Sequence, residues 1–216
     1  MVIVDMAARI DLAVRVITVD TGRLPEETHH MIDTVRDRYG IRVETVFPDA
    51  SEVGEMVRLH GMNLFYRDGA SRLLCCQVRK VRPLERKLES FKAWVVGLRR
   101  GQSESRAQLE KAAMDEGRLK LSPLAEWTHE QVRGYLREHD VPRHPLYAAG
   151  YTSIGCAPCT RASQPGEEER AGRWWWENGQ PKECGIHFTP EGRLRRRVDV
   201  LLDEVLQAGE TVAAAV

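Results

Sequence analysis

Five cysteines, Cys75, Cys76, Cys156, Cys159 and Cys184, are the side chains best suited to chemistry in this 216-residue chain. They fall into an adjacent pair, a C-x-x-C and a single thiol. An odd count of five fits four ligands for an inorganic centre plus one reactive thiol. A C-x-x-C turn offers two thiolates to one metal or one cluster, and it serves zinc ribbons, iron–sulfur sites and thiol oxidoreductases alike. The redox version normally follows the first strand of its fold, whereas this one lies far down the chain. Side chains of adjacent residues diverge, so Cys75 and Cys76 could share a tetrahedral zinc only through backbone distortion. A cubane gives each cysteine its own iron corner. Adjacency therefore tilts the centre toward [4Fe–4S].

Cys184 is set among Lys182, Glu183, Gly185 and His187, with no second cysteine within two residues. Cations nearby favour a thiolate, which suits an exposed nucleophile. An incidental surface cysteine would read the same way locally. The compartment bears on all five. No apolar run reaches the roughly 18 residues that span a bilayer, and the first residues lack a charged, apolar leader. The expected location is cytoplasmic, where thiols stay reduced and clustered cysteines bind metal or catalyse. The chain carries 32 basic and 32 acidic residues. That balance argues against a nucleic-acid partner.

The elements that must position these residues read as α/β. Apolar residues from Val2 to Ala13, including Ile10, follow helical spacing. The β-branched run Val14–Val19 predicts a strand ending at Asp20-Thr21-Gly22. Pro25, Glu26, Glu27 and Gly40 delimit a helix over 25–39, and 41–47 predicts a second strand closed by Pro48. Strand, helix, strand implies a parallel sheet, with ligands beyond the strands' carboxyl ends. Thr21 and Gly22 lie at such an end, although an ordinary glycine turn would look the same. A helix is expected over 51–66, broken near Gly61 and Asn63, and a strand over 92–98. The latter runs into Arg99-Arg100-Gly101-Gln102-Ser103, either an anion site or a solvated basic turn. Thr128 opens a helix to about His139. Trp174-Trp175-Trp176 cannot all face one side, so some should pack inward. The tail 193–207 reads as a packing helix with a solvated basic end at Arg195, Arg196 and Arg197.

Several stretches together resemble the assimilatory adenylyl-sulfate (APS) reductases, relatives of the PAPS reductases. They are Val19–Thr28, Cys75-Cys76 with Arg79–Leu84, Gly97–Ser103, Tyr151–Cys156 with Cys159, Glu169–Trp174 and Glu183–His187. The resemblance implies a parallel-sheet, Rossmann-like domain of the adenine-nucleotide-hydrolase type with an irregular C-terminal arm. It implies a [4Fe–4S] cluster on Cys75, Cys76, Cys156 and Cys159, and Cys184 as the nucleophile. The Cys184 thiolate would attack the sulfur of APS, expel AMP and become an S-sulfocysteine, which reduced thioredoxin would resolve to sulfite. Cations must screen a thiolate approaching an anionic sulfate. Lys80, Arg99, Arg100, Arg170 and Arg173 match the family's basic residues, with His187 as an accessory candidate.

The expected organisation is a nucleotide-binding core over residues 1–125, an arm with the C-x-x-C and the nucleophile over 126–190, and a helical extension over 191–216. The expected partners are APS and thioredoxin, in a homo-oligomer, with neither nucleic acid nor membrane. The rival readings are a PAPS reductase and an inactive zinc- or cluster-binding α/β remnant. The family carries a first strand and a Ser-Phe-x-x-Glu-Asp phosphate loop before the helix that here begins at Met1. The expectation is that these are missing by truncation or a start assigned too late. The family often ends soon after its catalytic cysteine, whereas this chain continues.

Overall fold

The computed structural model describes residues 1–10, 12–177, 182–184 and 192–213. The chain forms two compact units, each assembled from separate stretches. The first comprises Met1–Thr18, Leu24–Glu44 and Leu88–Arg173. The second comprises Val19–Arg23, Thr45–Lys87 and Trp174–Val216. The fold class is α/β, as the sequence predicts.

Strands β1 (Val16–Val19) and β2 (Val43–Val46) pair with each other around helix α2 (Glu26–Tyr39). Both are rich in β-branched residues, which fit a pleated surface. Pro25 caps α2, Glu26 and Glu27 occupy its first turn, and Gly40 closes it at φ 63°. Glycine takes that left-handed conformation without a Cβ clash. Helix α1 (Val2–Arg9) stops short of the expected end. Ile10, read from the sequence as a core-facing helical residue, lies beyond the helix and is 70% exposed.

In the first unit, Asp5 of α1 is buried and gathers three elements. Its carboxylate accepts from Arg9 Nε at 2.7 Å, Tyr135 Oη at 2.7 Å and Tyr39 Oη at 3.1 Å. Tyr135 belongs to α6 (His129–Glu138), which a Thr128–Gln131 capping box opens. Burial opposes ionisation of Asp5, but these donors together hold its carboxyl below the usual aspartate range. Burial and then Asp5 itself push the Tyr39 phenol up to about 12.

The same unit holds a three-stranded sheet of β3 (Ala93–Val95), β5 (Arg118–Leu121) and β4 (Ala112–Asp115), in that order. β3 runs parallel to β5, and β4 runs antiparallel to it. The hairpin turns at Glu116 and Gly117, with φ 49° and 78°. A two-residue hairpin turn of type I′ needs positive φ at both central residues.

In the second unit, α3 (Ala50–His60) is capped by Asp49, which accepts from Ser51 N and Glu52 N. The 51–66 stretch breaks where expected, for Gly61 at φ 84° separates α3 from a short 3-10 turn at Leu64–Tyr66. Helix α4 (Gly69–Cys76) continues through a π turn (Gln77–Val81) into α5 (Arg82–Leu88). Pro83 accounts for that turn. Its ring would clash with the carbonyl four residues back and it has no N–H to donate. The helix widens, and Arg82 N bonds the Gln77 carbonyl five residues back. Helix α7 (Gly192–Ala213) packs on α3 and α4. Its Val198 is buried against Ala70 and Leu73, with Leu194 and Leu201 alongside.

Candidate active site

The helix α4 that ends in Cys75 and Cys76 is fixed at its other end by Asp68. The Asp68 carboxylate accepts from Ser71 N at 2.9 Å and pairs with Arg197 of α7 at 2.8 Å. Burial opposes its ionisation, yet the Ser71 amide and Arg197 keep it below the ordinary range. Cys76 itself keeps helical angles, φ −66° and ψ −39°. The distortion begins only after it, and it redirects the two basic residues that follow.

Lys80 lies on the π turn, and its Nζ sits 3.5 Å from Cys184 Sγ. Cys184 is 7% exposed, so the exposed thiol expected from its flanking sequence is replaced by a buried one. The residue next to it is held by an arginine that the sequence analysis does not single out. Arg72 of α4 is 2% exposed. Its Nη1 donates to the carbonyl of Glu183, next to Cys184, at 2.8 Å. Its Nε donates to Glu177 Oε1 at 2.8 Å. Its guanidinium lies over the Trp174 ring, 4.5 Å from the centroid. The neighbouring Arg79 is also buried, and its Nη1 donates to the Thr21 carbonyl at 2.9 Å. Gly22, at φ 71°, lies beside Arg79, and its N–H donates to Asp20 Oδ1. Thr21, Gly22, Lys80 and Cys184 therefore belong to one unit. Of the three tryptophans, Trp174 is buried, Trp176 packs by Tyr66 at 4.5 Å between centroids, and Trp175 is 39% exposed.

The other cysteine pair is built on turns in the first unit. Cys156 and Cys159 flank a single 3-10 turn, with Cys159 N bonded to Cys156 O at 2.9 Å. Thr160 Oγ1 donates to the same carbonyl, and Thr160 bridges Arg173. Arg173 Nη1 donates to the Ile154 carbonyl at 3.3 Å. A Cβ on Gly155 would fall 2.4 Å from the Arg173 guanidinium, and one on Gly172 would fall 2.3 Å from the Arg161 carbonyl oxygen. At Gly172 the chain itself passes too close for a side chain, and at Gly155 the space is taken by the Arg173 side chain. Arg170 Nη1 reaches Ser153 Oγ at 3.3 Å. Arg99 is buried and donates to both oxygens of Glu169, at 2.9 and 3.0 Å. Arg170, Arg173 and, through Glu169, Arg99 are thus grouped around the C-x-x-C segment. Arg100 turns away, to the Leu109 carbonyl at 2.8 Å and Glu126 at 3.2 Å. His187 lies outside the described residues.

None of the five cysteines is in a disulfide. Among the described residues, no three or more His, Cys, Asp or Glu side chains assemble into a metal-ligand group.

The second unit of this α/β fold sets a thiol beside an ammonium, and the first groups arginines around a C-x-x-C. The chain belongs to the phosphoadenosine phosphosulfate reductase domain family, whose model matches residues 1–162. It is 51% identical over 176 residues to an adenosine 5'-phosphosulfate reductase of Burkholderia cepacia, covering 81% of this chain and 70% of that one. It is 47% identical over 195 residues to the enzyme of the same name from Allochromatium vinosum, covering 88% and 76%. Among solved structures, the phosphoadenylyl-sulfate reductase of Candida auris, in a phosphate complex, superposes with a TM-score of 0.58 at 27% identity, covering 73% of this chain and 75% of that one. The protein is an oxidoreductase acting on a sulfur group. No helix among the described residues is long and apolar enough to cross a membrane.

Proposed function

We propose that the protein reduces adenosine 5'-phosphosulfate to sulfite and AMP, with Cys184 as the nucleophile. The observation that carries this reading is the Lys80 ammonium 3.5 Å from the Cys184 sulfur. A cation within hydrogen-bond reach favours the thiolate, and it also screens the approach of an anionic sulfate. The thiolate attacks the sulfur of the sulfonyl group. The bond from sulfur to the phosphate oxygen breaks, and AMP leaves with the electron pair. Reduced thioredoxin then attacks Cys184 Sγ of the S-sulfocysteine, sulfite departs, and a second thioredoxin thiol resolves the mixed disulfide. Thioredoxin ends oxidised and Cys184 returns as a thiol. The relatives named above support the substrate assignment.

We further propose that Cys75, Cys76, Cys156 and Cys159 would hold a [4Fe–4S] cluster, for which four thiolates are the usual donor set. All four are outside disulfides. The helical angles at Cys76 leave the adjacent thiols divergent, as separate iron corners need and a shared tetrahedral ion does not. Such a cluster, with four thiolates, would supply negative charge that favours nearby cations. The setting is cytoplasmic, where both reduced thiols and reduced thioredoxin persist.

Anaerobic purification tests the cluster. A brown protein with absorbance near 400 nm and about four irons per chain supports it, and a colourless zinc protein overturns it. Steady-state rates with APS against PAPS decide the substrate. Cys184→Ser is expected to keep the cluster and trap no labelled sulfite, and retained turnover would remove Cys184 from the mechanism.

A further inference from the structure

We propose that Arg72 is a positioning residue that holds the arm bearing Cys184 in its resting place beside Lys80. The inference rests on the reading of Cys184 as the nucleophile. Trp174 to Glu177 and Lys182 to Cys184 contain no helix or strand. Among the described residues, the sulfur is therefore not placed by a helix or by a strand ladder. Three contacts converge instead on one side chain. Arg72 meets Glu177 through Nε, the Glu183 carbonyl through Nη1, and the Trp174 ring with its flat face. It projects from the first turns of α4, which Asp68 caps and α7 covers. Its base therefore belongs to a helix, whereas its partners lie on turns and irregular chain.

Burying a guanidinium is costly, and an apolar side chain of similar volume would fill the space at lower cost. What the arginine adds is specificity. Its planar fork meets a carboxylate and a carbonyl in one arrangement only. The ion pair is also incomplete. Glu177 Oε2 is buried without a hydrogen-bond partner among the described residues. A half-satisfied carboxylate holds less tightly than a bidentate one, which suits an arm that must present its sulfur first to a small nucleotide and then to a protein thiol. Trp174 adds to this, because it takes φ 43° while 1% exposed. A bulky residue stays in that region only when its surroundings impose it.

The test is the rate at which iodoacetamide alkylates Cys184 in the anaerobically purified full-length protein, read by peptide mass mapping. Arg72→Met is expected to raise that rate roughly tenfold, the size of one lost charge-assisted hydrogen bond. kcat for APS should fall, and KM should stay within about twofold, since no substrate contact is removed. Arg72→Lys should recover part of both effects, because an ammonium can meet one of the two acceptors. Glu177→Gln should give a smaller acceleration, about threefold, as the Glu183 contact remains. A folded Arg72→Met protein with wild-type alkylation and wild-type kcat overturns the proposal. So does acceleration that Arg72→Lys leaves entirely uncorrected. If Arg72→Met does not fold, Arg72→Lys and Glu177→Gln decide by the same criterion. Should Cys184→Ser retain turnover, the nucleophile assignment falls, but the alkylation rates still judge whether Arg72 holds the arm.

Discussion

The two cysteine pairs are built by opposite means. Cys75 and Cys76 sit on a capped helix, where regular hydrogen bonds fix the backbone and the side chains diverge by default. Cys156 and Cys159 sit on a run of turns between Gly155 and Gly172, where the backbone is held by close approach. A helix delivers position through its own periodicity, so most single substitutions on its exposed face are absorbed. A turn cluster delivers position through a few contacts that admit no extra atom. The first region should therefore degrade gradually under mutation, and the second abruptly.

The strongest test of that contrast is Gly172→Ala. Its Cβ would meet the Arg161 carbonyl oxygen at 2.3 Å, and backbone cannot step aside as a side chain can. A loss of about 3 kcal/mol is expected in chemical denaturation. Gly155→Ala comes next. There the obstacle is the Arg173 guanidinium, which can swing away at a cost of about 2 kcal/mol. Because Arg173 is displaced, activity should fall by more than the stability loss accounts for. On the helical side, Asp68→Ala removes the cap of α4 and the partner of Arg197, and about 1 kcal/mol is expected. If Asp68→Ala proved as damaging as Gly172→Ala, the contrast would collapse.

A milder perturbation is pH. Asp5 in the first unit and Asp68 in the second both ionise below the aspartate reference of 3.8 in the folded chain. A depressed folded pKa contributes stability above the unfolded value, and that contribution is lost as pH falls through the folded one. Both units should therefore lose stability on acidification from about pH 4 downward. Asp5→Asn and Asp68→Asn should each flatten part of that dependence in thermal melts. A melt equally steep in both variants and wild type would remove these carboxylates from the acid response.

Much of this arrangement was legible in the residues. Pro25, Glu26, Glu27 and Gly40 mark α2 with local capping chemistry, and Thr128 with Gln131 marks α6 in the same way. Val16–Val19 and Val43–Val46 declare themselves by β-branching. The hairpin of β4 and β5 escaped notice because its turn is Glu116-Gly117, and glutamate rarely takes positive φ. The burial of Cys184 was hidden for another reason. Its flanking residues are polar, and the chain beside it is held by a contact that Arg72 makes across more than a hundred residues. A lone arginine in a helical stretch ordinarily faces water, so nothing local distinguishes it. Arg79 differs only in degree, since it precedes Lys80 and Pro83 in the motif that carried the resemblance. The two units also interleave along the chain, which composition shifts do not reveal.

The π turn between Cys76 and Arg82 has a consequence for how this stretch tolerates change. A π turn is a helix with one residue too many, so everything after it is rotated by about 100° relative to an uninterrupted helix. Losing one residue here together with Pro83 would leave a smoother helix and a plausible one. It would also turn the ammonium of Lys80 away from the sulfur without touching either residue. The stretch from Gln77 to Val81 is therefore fixed in length as well as in its buried side chains Val78, Arg79 and Val81, a rule of counting that no single residue displays.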